Sequence, residues 1–187
     1  MRNIQKIQDT GKTVFNKNDI KNILLDLSAK AVDVFIYRAK QKGFLLNPFY
    51  GIYTLKKHNI FELASKLKKK SYTSMETVLK KEAVIFQQYS DIFLISDNSV
   101  TKTIGQQVYV FSKIKDSILL NPLWIINTWK YLIASKERAI CDRLYLNCEY
   151  YFDDLSRVDR VKLEEISQIY NKRVILEVKK LIKNETK

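Results

Sequence analysis

The chain has 187 residues, and 33 Lys and Arg against 20 Asp and Glu give a net charge of +13. It is 46% hydrophobic and 12% aromatic with only four Gly and two Pro, which excludes a disordered basic tail, a collagen-like chain and a low-complexity segment. An ordered basic chain of this length holds one large or two small domains, and phosphate is its first expected partner, in nucleic acid or on an anionic surface.

The opening MRNIQKIQDT lacks the apolar run of a signal peptide, and a short helix carrying Ile4 and Ile7 is expected there. Residues 13–15 read as a short strand. Asn16 or Asn18 caps a helix with Ile20, Ile23, Leu24 and Leu27 on one side. Ser28 caps a second helix over residues 29–42, which Gly43 closes in a left-handed conformation. Two β-rich runs around Pro48-Phe49-Tyr50 read as a hairpin. Helix, short turn, helix and hairpin is the order of a winged helix-turn-helix, and residues 1–57 are assigned to it. This segment holds 11 Lys and Arg against 4 Asp and Glu, +7, whereas the longer remainder holds 22 against 16, +6.

The second helix of this unit is the candidate reading element. Val32, Phe35, Ile36 and Ala39 make its buried stripe. Lys30, Val34, Tyr37 and Gln41 centre the opposite face, with Asp33 and Arg38 beside them. Arg38 suits guanine, Gln41 adenine and Val34 a thymine methyl. Lys30, Lys40, Lys42, Lys56 and Lys57 suit phosphates, with Tyr50 at the hairpin tip as a further backbone contact. Asp33 works against close approach of DNA.

Residues 58–70, ending in the run KLKKK, are expected as a basic helical junction, with a short helix over 59–69. Residues 71–187 form the second domain. Thr73 and Glu76 have capping-box spacing and open a helix that runs to about Lys81. Residues 91–97, 100–104 and 107–114 read as strands, the last two joined around Gly105. The apolar stretch DSILLNPLWII admits another strand. Residues 134–146 read as a helix, and the C-terminal stretch gives one or two amphipathic helices. The fold class is therefore α+β: a winged helix-turn-helix followed by a mixed α/β domain with a small, mostly antiparallel sheet.

No 18-residue apolar run exists, so no membrane span is expected and the location is expected to be cytoplasmic. Cys141 and Cys148 read as free thiols. Two Cys and one His make no zinc set, and no metal or cofactor is expected. Scattered glycines exclude a phosphate-cradling loop. Ser135 suits an N-cap, Glu137 the first turn after it, and Arg138 and Asp142 an i,i+4 salt bridge. Asp153, Asp154 and Asp159 read as exposed loop carboxylates, with a metal-dependent enzyme on nucleic acid or protein as the alternative. Tyr150, Tyr151 and Phe152 are expected to close the core, and His58 to be solvated or capping. No catalytic residues are assigned.

Three segments together resemble the AbiEi family of antitoxins of type IV toxin–antitoxin and abortive-infection modules: residues 28–55 (SAKAVDVFIYRAKQKGFLLNPFYGIYTL), 72–85 (YTSMETVLKKEAVI) and 133–146 (IASKERAICDRLYL). Their order and spacing match across roughly residues 10–180. The resemblance singles out Thr73, Ser74, Glu76, Ser135, Glu137, Arg138 and Asp142 as the motif of the second domain. Lys136 stands where the family has Pro, Glu82-Ala83 where many members have His-Gly, Thr77 where they have Ser, and Phe49-Tyr50 where relatives often carry Arg. The resemblance implies that the first domain binds inverted repeats in its own promoter as an autorepressor. It implies that the second domain opposes a nucleotidyltransferase-like toxin without needing a stable complex. A monomer or weak dimer is expected, and a winged-helix module that only binds protein is the remaining alternative.

Overall fold

In the computed structural model, which describes residues 2–184, the chain divides into two units, Met1–Lys69 and Lys70–Lys187. The first begins with α1 (Arg2–Asp9), β1 (Val14–Asn16) and α2 (Lys17–Ile23). The Asn16 side chain accepts from the Asp19 amide at 2.8 Å and the Asp19 carboxylate accepts from the Asn16 amide at 2.7 Å, a capping box with Asp in the third position. α2 stops a turn short of the expected Leu27, because residues 24–27 form a turn closed by the Leu27 amide on the Leu24 carbonyl at 3.0 Å. That turn releases Ser28 to cap α3 (Ala29–Gln41), its Oγ accepting from the Ala31 amide at 3.2 Å.

Gly43, at φ +67°, ends α3 in a Schellman motif: its amide bonds the Lys40 carbonyl and the Phe44 amide bonds the Ala39 carbonyl, both at 2.9 Å. β2 (Leu46–Phe49) and β3 (Ile52–Thr54) follow as the expected hairpin. β1 also pairs with β3, Phe15 opposite Tyr53, giving a three-stranded antiparallel sheet in the order β1-β3-β2. Ile7, Phe15, Ile20, Leu24, Val32 and Ile36 fill the core beneath it.

The helix expected over 59–69 forms as α4 (Ile60–Leu67). It is an integral part of the first unit, because its Glu62 is buried and accepts from the Thr13 amide at 3.0 and 3.1 Å and from the Thr13 hydroxyl at 2.6 Å. Asn59 caps it, and Lys66 pairs with Asp19 at 2.7 Å.

The second unit runs β4 (Ser71–Thr73), α5 (Met75–Lys81), β5 (Ile92–Ser96), β6 (Val100–Ile104), β7 (Gln107–Lys113), α6 (Asp116–Leu119), β8 (Ile125–Asn127), β9 (Leu132–Ala134), α7 (Lys136–Leu146), α8 (Arg160–Ser167) and α9 (Lys172–Asn184). Its sheet has six strands in the order β6-β7-β5-β4-β9-β8. The sheet is mixed, since β5 and β7, and β4 and β9, pair in parallel. The other three pairings, β4 with β5, β6 with β7 and β8 with β9, are antiparallel as expected, but at six strands the sheet is larger than the small one expected. α7 packs against α5, α8 and α9 over a core that includes Met75, Leu79, Ile95, Ile140, Leu144 and Ile166.

Three local expectations change. Thr73 is a buried strand residue rather than a helix cap, and Ser74 takes the cap position of α5 without a side-chain capping bond. The stretch 116–126 is not one strand. A helical turn bonds the Leu119 and Leu120 amides to the Lys115 and Asp116 carbonyls at 2.9 Å, and β8 begins only after Pro122. Phe152 is buried as expected, but Tyr151 is 77% exposed and closes nothing.

Candidate nucleic-acid interface

Helical periodicity sorts α3 as the sequence implies. Val32, Ile36 and Ala39 are buried, Phe35 is half-buried, and Lys30, Val34, Tyr37, Arg38, Gln41 and Lys42 are exposed on the outer side. Asp33 lies among them, but Lys17 holds its carboxylate at 2.6 Å. The charge that opposes DNA approach is thus already balanced from α2.

The hairpin tip is shaped locally. The Asn47 amide group donates to the Phe49 and Ile52 carbonyls at 2.6 and 2.8 Å, and Gly51 makes the turn at φ +71°. Tyr50 is left 96% exposed. Lys56 and Lys57 are exposed beyond β3. A Cβ placed on Gly43 would lie 3.8 Å from the Lys56 Cε, so the Lys56 stem rests beside the end of α3 near Lys42. Residues 1–69 hold 14 Lys and Arg against 5 Asp and Glu, +9, because Lys66, Lys68 and Lys69 fall within this unit.

Apart from the half-buried Ser135, the motif of the second unit is buried. Arg138 and Asp142, on successive turns of α7, are both inaccessible to solvent, with Nε and carboxylate 3.6 Å apart. The Arg138 guanidinium donates to the carbonyls of Ile118 at 2.7 Å, Leu123 at 3.0 Å and Asn121 at 3.4 Å, and to the Tyr72 hydroxyl at 3.1 Å. Asp142 accepts from the hydroxyls of Ser74 at 2.6 Å, Tyr170 at 2.6 Å and Tyr72 at 3.0 Å. Burial raises the Asp142 carboxyl above its ordinary value, with Arg138 and the three hydroxyls pulling it back. Burial also lifts the Tyr72 and Tyr170 phenols well above theirs, so both remain donors.

The remaining motif residues frame this cluster. Glu76 forms an ion pair with Arg143, Oε1 to Nε 3.0 Å, and the Arg143 guanidinium lies over the Tyr150 ring at 4.5 Å. Ser135 caps α7 through the Arg138 amide at 3.2 Å, and the buried Glu137 accepts from the Asp159 amide at 3.3 Å. Tyr72 and Tyr170 escaped the sequence reading. Tyr72 has a signal in adjoining Thr73-Ser74, whereas Tyr170 lies 28 residues from Asp142 and has none.

The carboxylates of the enzyme alternative accept from backbone amides. Asp153 accepts from the Phe86 amide at 2.8 Å, Asp154 from the Ser156 amide at 2.8 Å, and Asp159 caps α8. Among the described residues no group of His, Cys, Asp and Glu is placed to hold a metal ion, and no helix is long and apolar enough to cross a membrane. Cys141 is buried and Cys148 half-buried, both as free thiols. No protein-family model matches the chain, and no curated protein gives a significant sequence match.

Proposed function

We propose that the first unit is a winged helix-turn-helix that binds duplex DNA through α3, with the β2–β3 hairpin as its wing. The observation that carries this is the outer face of α3. It exposes Lys30, Val34, Tyr37, Arg38, Gln41 and Lys42 on a unit of net charge +9, and Asp33, the carboxylate among them, is balanced by Lys17. Arg38 and Gln41 read base edges in the major groove, Val34 meets a thymine methyl, and Lys30, Lys42, Lys56 and Lys57 bind phosphates. Tyr50 touches the backbone from the wing. A lone unit reads one half-site, so an inverted repeat takes two copies.

On this reading the whole chain is an autorepressor and antitoxin like the family its three segments resemble, opposing a nucleotidyltransferase-like toxin. Three of the departures from the family pattern are compatible with it, because Lys136, Ala83 and Thr77 keep a structural role. Lys136 is the first residue of α7 after the Ser135 cap, where a Pro fits equally well. Ala83 sits at φ +57° just past α5, its amide on the Lys80 carbonyl at 3.1 Å, a left-handed position that favours the family's Gly. Thr77 Oγ1 accepts from the Phe93 amide at 2.7 Å, a bond that Ser also makes.

Fluorescence anisotropy with the DNA upstream of the reading frame tests the DNA-binding half. Affinity should fall steeply with salt, and Lys30→Ala with Arg38→Ala should abolish promoter preference. Unchanged binding by that double variant overturns the assignment of α3. Co-expression with the product of the adjoining reading frame tests the antitoxin half.

A further inference from the structure

A cleft of about 550 Å3 opens along α3 within the first unit. Its apolar end is made by Leu27, Ala31 and Val34, with Phe35 alongside. Arg38 and Lys42 supply cations at the other end, where Phe44 also lines the cleft, and Arg2 of α1 adds a third. No carboxylate lines it. The nearby Asp26 is paired with Lys6 at 2.9 Å. The volume falls in the range of small-ligand sites, roughly 300–1,000 Å3. From Ala31 to Lys42 the floor runs about 16 Å along the helix. The opposing wall is only the first turn of α1, Arg2 to Ile4, which is too short to grip a peptide helix along its length.

We propose that this cleft binds a small organic anion, an acyl or aromatic body carrying a carboxylate, and that this ligand and duplex DNA exclude one another. The chemistry follows from the polarity of the lining. The apolar body is desolvated against Leu27, Ala31 and Val34, and the carboxylate meets the fork of Arg38 and the ammonium of Lys42. Exclusion follows because Val34, Arg38 and Lys42 are also the side chains assigned to DNA. A carboxylate held by Arg38 removes that donor from the groove and repels the phosphates. The ligand site stands on the cleft alone, and the exclusion rests on the DNA-binding reading.

The test uses the full chain, with 8-anilinonaphthalene-1-sulfonate and sodium decanoate, below its micellar concentration, as probes. Decanoate should displace the fluorophore and shift the amide resonances of Ala31, Val34 and Phe44. Ala31→Trp, which fills the apolar end from a half-buried position, should weaken both probes at least tenfold while the circular dichroism stays unchanged. Saturating decanoate should weaken binding of a 20-base-pair duplex at low salt at least fivefold in the parent, and not in Ala31→Trp. Resonance shifts scattered away from the cleft, or probe binding indifferent to Ala31→Trp, overturn the site. So does capture of an acidic amphipathic peptide by a cleft that leaves both probes unbound. Should the parent bind no duplex, the DNA-binding reading fails and the exclusion with it. The resonance shifts and displacement still decide the ligand site.

Discussion

Replacing Arg138 by Met removes a guanidinium that makes four hydrogen bonds and faces Asp142 at 3.6 Å, in a place solvent does not reach. Met keeps most of the volume, so the loss is electrostatic rather than a cavity. Breaking a buried pair from one side costs about 3–5 kcal/mol, because the remaining charge is left uncompensated. The carbonyls of Ile118 and Leu123 lose donors as well, which pushes the figure to the upper end. Domains of this size are stable by about 5–15 kcal/mol, so the variant should sit near the edge of folding. Arg138→Met with Asp142→Asn removes the stranded charge and should recover about 1–3 kcal/mol relative to the sum of the single changes.

Both tryptophans of the chain, Trp124 and Trp129, lie in the second unit, so urea unfolding followed by tryptophan fluorescence reads this unit by itself. The pH dependence gives a second check. Burial already raises the Asp142 carboxyl, and Arg138 is the largest influence holding it down. Without Arg138 its folded value climbs further above the unfolded one. A carboxyl raised on folding binds its proton more tightly in the native state, so the native state is favoured below that pKa and loses ground as pH rises through it. The deficit of Arg138→Met against the parent should therefore shrink between pH 7 and pH 5. A loss under about 1 kcal/mol, strict additivity in the double variant, or a deficit that grows on acidification refutes a charge-paired Arg138 and Asp142.

Lys56→Ala with Lys57→Ala should weaken binding to all duplexes alike and flatten the plot of log affinity against log salt by about 2 units, since each phosphate contact contributes roughly 0.9. Gly43→Ala should cost about 1 kcal/mol in the first unit, from left-handed strain rather than a clash, because the new methyl meets only the flexible Lys56 stem. Ala83→Gly should raise the urea midpoint of the second unit by the equivalent of about 0.5–1 kcal/mol, since Gly relieves the same strain at φ +57° at some entropic cost.

What was legible followed short-range rules. The caps Asn16, Ser28 and Ser135, the stripe of α3, the Gly43 terminus and the hairpin about Gly105 all depend on neighbours within a few positions. What escaped depends on partners far along the chain. β4 is three residues long and buried on every side chain, so it has no alternation, and Thr-x-x-Glu spacing mimics a helix start there. The parallel pairing of β4 with β9 joins Thr73 to Ile133, which no local pattern announces. α4 looked like a linker because the run KLKKK begins at its last turn and continues past its end. Its anchors lie far back in the chain: Glu62 reaches 49 residues to Thr13, and Lys66 47 residues to Asp19.

The buried motif changes what the antitoxin resemblance means. Ser74, Glu76, Glu137, Arg138 and Asp142 are all 5% exposed or less, so none can form a surface that meets another protein. Their spacing is set by the fold: Asp142 gathers hydroxyls from β4, from the start of α5 and from the turn before α9, and Arg138 ties α7 to the α6–β8 connection. A sequence that keeps this pattern keeps a clamp on the helices against the sheet. Antitoxicity by contact must then use exposed side chains outside the motif, such as Trp129 at the β8–β9 turn, which is 62% exposed. Loss of rescue on changing Arg138 or Asp142 would report unfolding. Loss of rescue at an exposed position, in a variant whose urea midpoint is unchanged, is the result that would locate an interface.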